Sequence, residues 1–218
     1  MKTVLLYGDS NTYGTAPMRA LGESRRFDAA TRWAGHVARA LAGRAEVIAE
    51  GHPGRTTVHD DPVEGAHRNG LTVLPAILES HAPLDVVAIM LGTNDFKARF
   101  SVTAADVALS VERLAKLVRA SLAGPGQGVP RLLLIAPPPV VEVGCLAPMF
   151  EGGAAKSRGL APHLRAAAQR QGAVFLDAGA HIAVSPTDGV HFEAEAHATL
   201  GAAITAALEP LLEDQPRC

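Results

Sequence analysis

Met1-Lys2-Thr3-Val4-Leu5-Leu6-Tyr7-Gly8-Asp9-Ser10-Asn11-Thr12 opens the chain, and its reading decides the fold. Val4 to Tyr7 is a short apolar, β-favouring run that stops abruptly at Gly8-Asp9-Ser10-Asn11. A buried strand ending in a small, polar turn is where open α/β sheets carry their working groups, beyond the carboxyl ends of the strands. Ser10 stands at that tip. The question for the remaining residues is whether they bring it a base and donors for an oxyanion.

Working outward, strand-like and helix-like segments alternate. Trp33, Val37 and Leu41 recur at four-residue spacing, which predicts an amphipathic helix ending near Gly43. Glu46 to Glu50 reads as a second strand closed by Gly51, and the polar stretch from Gly51 to Gly70 fits neither period. Leu71, Leu74 and Leu78 predict a helix up to His81, with Thr72 as its cap so that Pro75 falls near the start. Asp85 to Leu91 is the clearest buried strand, followed at once by Gly92-Thr93-Asn94-Asp95. Thr103-Ala-Ala-Asp106 has the form of a capping box before a helix carrying Val107, Val111, Leu114 and Val118 on one side. Arg131 to Ala136 and Ala173 to Asp177 supply two more strands. An alanine-rich helix reaching about Gln171 separates them, and a last helix carries Leu200, Ile204, Leu208 and Leu211. Strands alternating with helices predict a doubly wound, five-stranded parallel sheet in a three-layer α/β/α sandwich, with residues 1–218 as one domain.

Composition narrows the function classes. Apolar residues make up 48% of the 218 and charged residues only 19%, which argues against disorder. A formal charge of −2 with scattered arginines leaves no electrostatic footprint for nucleic acid or an anionic membrane. No apolar run approaches the roughly 18 residues needed to span a bilayer. The opening apolar stretch is too short for a signal peptide, and Cys145 and Cys218, far apart, make no disulfide framework. The expectation is a cytoplasmic protein.

In a parallel sheet the segments after the strands emerge at one edge. Gly8-Asp9-Ser10, Gly51 to Gly54 and Gly92 to Asp95 should therefore converge, with Thr187-Asp188-Gly189-Val190-His191-Phe192 before the final helix. In that order, Gly8-Asp9-Ser10, a loop glycine, Gly92-Thr93-Asn94-Asp95 and Asp188-Gly189-Val190-His191 resemble the four sequence blocks of the SGNH, or GDSL-type, hydrolases. Glu50-Gly51, Arg55-Thr56-Thr57, Asp60-Asp61-Pro62, Pro137-Pro138-Pro139 and Phe150-Glu151-Gly152-Gly153 look like the arylesterase/acyltransferase branch. The resemblance implies the flavodoxin-like fold of that family, and a homo-oligomer with Phe150 to Gly153 as a contact.

The chemistry has its own logic. A serine hydroxyl is a weak nucleophile at neutral pH and needs an adjacent base. His191 fits that role, and Asp188, three residues earlier in a loop opened by Gly189, can fold back to orient and stabilise its ring. By resemblance, the oxyanion donors are the backbone N–H of Ser10, that of Gly54 and the side-chain amide of Asn94. Asn11, Thr15, Pro53, Thr93, Lys97, Phe150 and Val190 are expected to face the substrate pocket. At position 11, Asn stands where the family's eponymous motif has Leu.

Other features read as structural. His52, His59, Asp60, Asp61 and His67 lie close in sequence but match no standard zinc spacing. His181 lacks a carboxylate three positions earlier, and Asp9 and Asp95 are suited to bracing their own turns. No metal or other cofactor is expected. Aromatic residues total only 4%, which argues for a modest cleft, and no long apolar lid suited to triglycerides is evident. The expected activity is a serine esterase on small esters, of short acyl groups or aryl alcohols, with water, an alcohol or peroxide as acyl acceptor. A deacetylase of sugar esters is the alternative within the enzyme class. A non-catalytic anion- or nucleotide-binding protein is the alternative outside it, although neither Gly-x-Gly-x-x-Gly nor Gly-x₄-Gly-Lys-Ser/Thr occurs.

Overall fold

The computed structural model describes residues 1–213, so Cys218 lies outside the described residues. Five parallel strands, β1 (Lys2–Gly8), β2 (Ala45–Gly51), β3 (Val86–Met90), β4 (Arg131–Ala136) and β5 (Val174–Asp177), lie in the order β2-β1-β3-β4-β5. The helices are α1 (Ser10–Tyr13), α2 (Trp33–Ala40), α3 (Gly70–His81), α4 (Ala104–Ala120), α5 (Gly153–Ser157), α6 (Leu160–Arg170) and α7 (Ala194–Leu212).

Period-two alternation along the strands builds the two cores. Leu5 and Tyr7 of β1 pack with Val87 and Ile89 of β3 under α3, α4 and α6. Val4 and Leu6, with Ala88 and Met90, face the other way, against Trp33 and Val37 of α2 and Leu200, Ile204 and Leu208 of α7. All of these side chains are buried, and each Val, Leu, Ile or Met among them contributes on the order of 1.5–3 kcal/mol of transfer free energy. The winding reverses between β1 and β3, and such a switch point opens a crevice at the carboxyl edge. There Gly8 pairs with both Gly51 and Met90, so the three strands end level and their following segments meet.

Three local readings are corrected. The cap of α3 is Asn69, whose Oδ1 accepts from the amides of Leu71 and Thr72; Thr72 is the third residue of the helix instead. The alanine-rich segment after Gly153 forms two helices, α5 and α6, broken between Ser157 and Leu160. The first strand runs into helix, not into an open turn. Asp9 caps α1 through the amide of Asn11, and Gly14 at φ +91° ends it. The capping box at the start of α4 forms as its sequence predicts, with Thr103 and Asp106 bonded reciprocally.

Candidate active site

Ser10 is the first residue of α1, held directly after the Asp9 cap that takes the amide of Asn11. Its Oγ lies 3.1 Å from Nε2 of His191, and Nδ1 of His191 lies 2.7 Å from Oδ2 of Asp188. Hydroxyl, imidazole and carboxylate thus stand in series, able to pass a proton from the first to the second while the third holds the ring.

The loop that carries the last two is built by its own backbone. Asp188 Oδ1 accepts from the amides of Val190 at 3.0 Å and His191 at 2.9 Å, folding the segment into a tight turn. Gly189 allows it: its φ is +73°, and a Cβ there would lie 1.8 Å from the carbonyl oxygen of Val141. The opposite face of the carboxylate is satisfied by the amide of Met18, 2.8 Å from Oδ2.

Two carboxylates near the hydroxyl differ sharply. Burial pushes Asp9 up to about 6, only partly opposed by the Asn11 amide. Burial also raises Asp188, but its hydrogen bond to His191, the charge of that ring and the surrounding amides overrule it, holding the group at about 2. Asp188 therefore keeps its negative charge far into acid, as a group stabilising an imidazolium must. Asp95 is raised by burial as well, and braces the loop after β2 by accepting from the amide and hydroxyl of Thr57.

Asn94 opens a short 3₁₀ turn after β3 and donates Nδ2 to the carbonyl of Arg55 at 3.1 Å, with Asp9 Oδ2 at 3.5 Å. The buried Arg55 side chain spans two strand ends. It donates to the carbonyls of Gly8 and Glu50 and lies 4.2 Å over the Tyr7 ring. Gly54 precedes it at φ +74°, where a side chain would also run into Glu64 and Arg68. Gly51, by contrast, ends β2 against the backbone of Thr12 and Tyr13.

A cavity of about 350 Å³ opens over these groups. Of the residues expected there, Ser10, Thr15, Pro53, Gly54, Asn94, Lys97, Phe150, Val190 and His191 line it. Asn11 and Thr93 do not. Thr93 is buried beside Asn94, and the Asn11 carboxamide turns beneath the serine toward the carbonyl of Val190, so neither can read a substrate. Lys97 is only 3% exposed and pairs with Glu64 and Asp61 at the cavity wall. Phe150 is packed inside with Leu146 and Met149, leaving Glu151 and Gly152 as the exposed part of that segment.

Sequence reasoning missed the wall formed by Met18, Leu21 and Glu23 to Arg25. That segment has no periodic pattern; its single clue is the run of charges that fixes it, Arg25 reaching Glu23 and Glu23 reaching the Arg19 amide. Among the described residues no three His, Cys, Asp or Glu side chains gather as a metal site, and no helix is long and apolar enough to cross a membrane.

An aryl esterase of M. smegmatis is 38% identical, with a TM-score of 0.92 over 97% of this chain and 100% of that one. Est24, a carbohydrate acetylesterase from Sinorhizobium meliloti, is 37% identical, also with a TM-score of 0.92 over 97% of this chain and 100% of that one. No curated relative matches. Residues 6–199 match the GDSL-like lipase/acylhydrolase family, so the chain belongs to that family and is a carboxylic ester hydrolase of the SGNH fold.

Proposed function

We propose that the enzyme hydrolyses small esters through an acyl-enzyme on Ser10, with His191 as general base and acid and Asp188 as its orienting carboxylate. The 3.1 Å approach of His191 Nε2 to Ser10 Oγ is the observation that carries this reading. Ser10 Oγ attacks the ester carbonyl as its proton moves to Nε2. The carbonyl oxygen, now an anion, takes hydrogen bonds from the amides of Ser10 and Gly54 and from Asn94 Nδ2. Collapse expels the alkoxide, which takes the proton from His191. Water then repeats the sequence on the acyl-enzyme and releases the acid.

The cavity size supports short acyl groups. Leu146, Met149, Phe150 and Met18 give it one apolar side, suited to an aryl or alkyl alcohol and to acyl transfer onto an alcohol in competition with water. Its other rim carries Glu23, Arg25, Glu64 and Lys97, and this favours a second reading, acetyl removal from a hydroxylated, sugar-like alcohol. An aryl acetate and an acetylated sugar, assayed with and without added alcohol against wild type and Ser10→Ala, test all three. Equal rates for the two proteins would remove the nucleophile. A cytoplasmic location is supported by Cys145 forming no disulfide among the described residues. Self-association through the exposed Glu151 and Gly152 is part of the same proposal, and sizing chromatography tests it.

A further inference from the structure

The side chain of Asn11 performs a task that its place in the sequence hides. Its Nδ2 donates to the carbonyl oxygen of Val190 at 3.1 Å, across 179 residues of chain, with both groups buried. That carbonyl belongs to the peptide unit whose N–H is the amide of His191, and the amide is itself held by Asp188 Oδ1 at 2.9 Å. The peptide leading into the base is thus gripped at both ends.

Asn11 is equally fixed. Its amide donates to Asp9 Oδ1 at 2.9 Å, and its carbonyl accepts from Nε1 of Trp33 at 3.0 Å. Trp33 is anchored in turn, its amide donating to Nδ1 of His197 on α7 at 3.3 Å. The residue directly after the serine is therefore tied to the residue directly before the histidine by one hydrogen bond between rigid supports. Reversing the carboxamide would bring Oδ1 against the Val190 oxygen, so the donor assignment follows from the geometry.

We propose that Asn11 is a positioning residue: its Nδ2–Val190 bond sets the approach of His191 Nε2 to Ser10 Oγ. The inference rests on reading those two as base and nucleophile. A leucine of similar size at position 11 would fill the space and supply no donor. The register of the two loops would then rest on the other contacts, and a displacement of about 1 Å between reacting groups costs up to about 10²-fold in rate.

The test compares wild type, Asn11→Leu, Asn11→Asp and Ser10→Ala on a chromogenic acetate ester, with urea-unfolding midpoints for each. Asn11→Leu should lose about ten-fold in kcat, the effect of one hydrogen bond, with KM within about two-fold of wild type. Asn11→Asp can donate to the Val190 carbonyl only while its carboxyl is protonated. Its kcat relative to wild type should therefore fall as the pH rises from about 5 to about 8, while the Asn11→Leu ratio stays flat. The titratable groups facing position 11 are Asp9 on its own turn, Asp188 and His191 across the loop, and His197 behind Trp33. They cancel in the Asn11→Leu ratio, whereas an ionised Asp at position 11 also acts on them, so the Asn11→Asp ratio is read after each variant's acid limb has been fitted. Wild-type kcat in Asn11→Leu, or a pH-independent Asn11→Asp ratio, would overturn the strap while leaving the nucleophile in place. If Asn11→Leu does not fold, the Asn11→Asp ratio decides alone. Full activity in Ser10→Ala would remove the nucleophile and the strap together.

Discussion

The amide of Met18 donates to Asp188 Oδ2 at 2.8 Å, the same oxygen that lies 2.7 Å from Nδ1 of His191. Met18 also lines the cavity, so one residue joins the cavity wall to the carboxylate behind His191. Asp188→Asn should then do two kinds of damage. It removes the charge that stabilises an imidazolium, and it offers an NH₂ group where two donors already converge. An activity loss of about 10³–10⁴ in kcat is expected, with a lower unfolding midpoint. Met18→Ala keeps the amide and loses only the wall, so it should raise KM for aryl esters and leave kcat for a simple acetate within about three-fold.

The proposed donors to the oxyanion can be removed one at a time. Asn94→Ala should lower kcat by about 10²–10³ while a substrate-like ligand still binds. Steady-state kinetics with a chromogenic acetate, compared against a competitive inhibitor constant, checks this. A rise confined to KM, with kcat unchanged, would mean that Asn94 binds the ground state and the transition state alike and is not an oxyanion donor.

The pH–rate profile should fall on the acid side, because an imidazole must be neutral to take the serine proton. Asp188, held at about 2, stays charged throughout that range and adds no second limb. Any contribution from Asp9, pushed up to about 6, should disappear in Asp9→Asn, and the comparison of the two profiles separates the groups.

His197 makes the fold itself pH-sensitive. It is fully buried, and burial together with the charges of neighbouring His36, His191 and Arg32 brings it from 6.5 down to about 4. The unfolded chain therefore binds the proton first. Stability is complete above 6.5 and is lost as the pH falls toward 4, by about 3 kcal/mol for this group. Asp9 acts oppositely: raised from 3.8 to about 6, it favours the folded state in acid and loses that contribution as the pH rises through its folded value. Denaturant unfolding of His197→Gln against wild type should show their difference shrinking in favour of the variant as the pH drops from 7 to about 4.5. A constant difference would contradict a neutral buried imidazole.

The strands and the contact of Asp188 with His191 were legible because short-range chemistry dictates them. Val4 to Tyr7 and Val86 to Met90 are apolar on both faces and can only be interior parallel strands. Asp188 and His191 are three residues apart around Gly189, so their contact is local and readable. Position 11 was not. Facing the pocket and turning beneath the serine are equivalent from sequence, because the choice is made by Val190, 179 residues away. The wall from Met18 to Arg25 escaped for the same reason: its place is set by the Met18 amide on Asp188, a contact between backbone and a distant side chain. Asn69 displaced Thr72 as the cap of α3 because the helix begins three residues earlier than a cap at Thr72 would place it.

The most direct measurement is peptide mass spectrometry after treatment with a fluorophosphonate, which reacts covalently with activated serine hydroxyls. A single adduct on Ser10, formed in step with the loss of esterase activity and absent from His191→Ala, is the predicted result. An adduct on another residue, or undiminished hydrolysis by protein fully modified at Ser10, would contradict it.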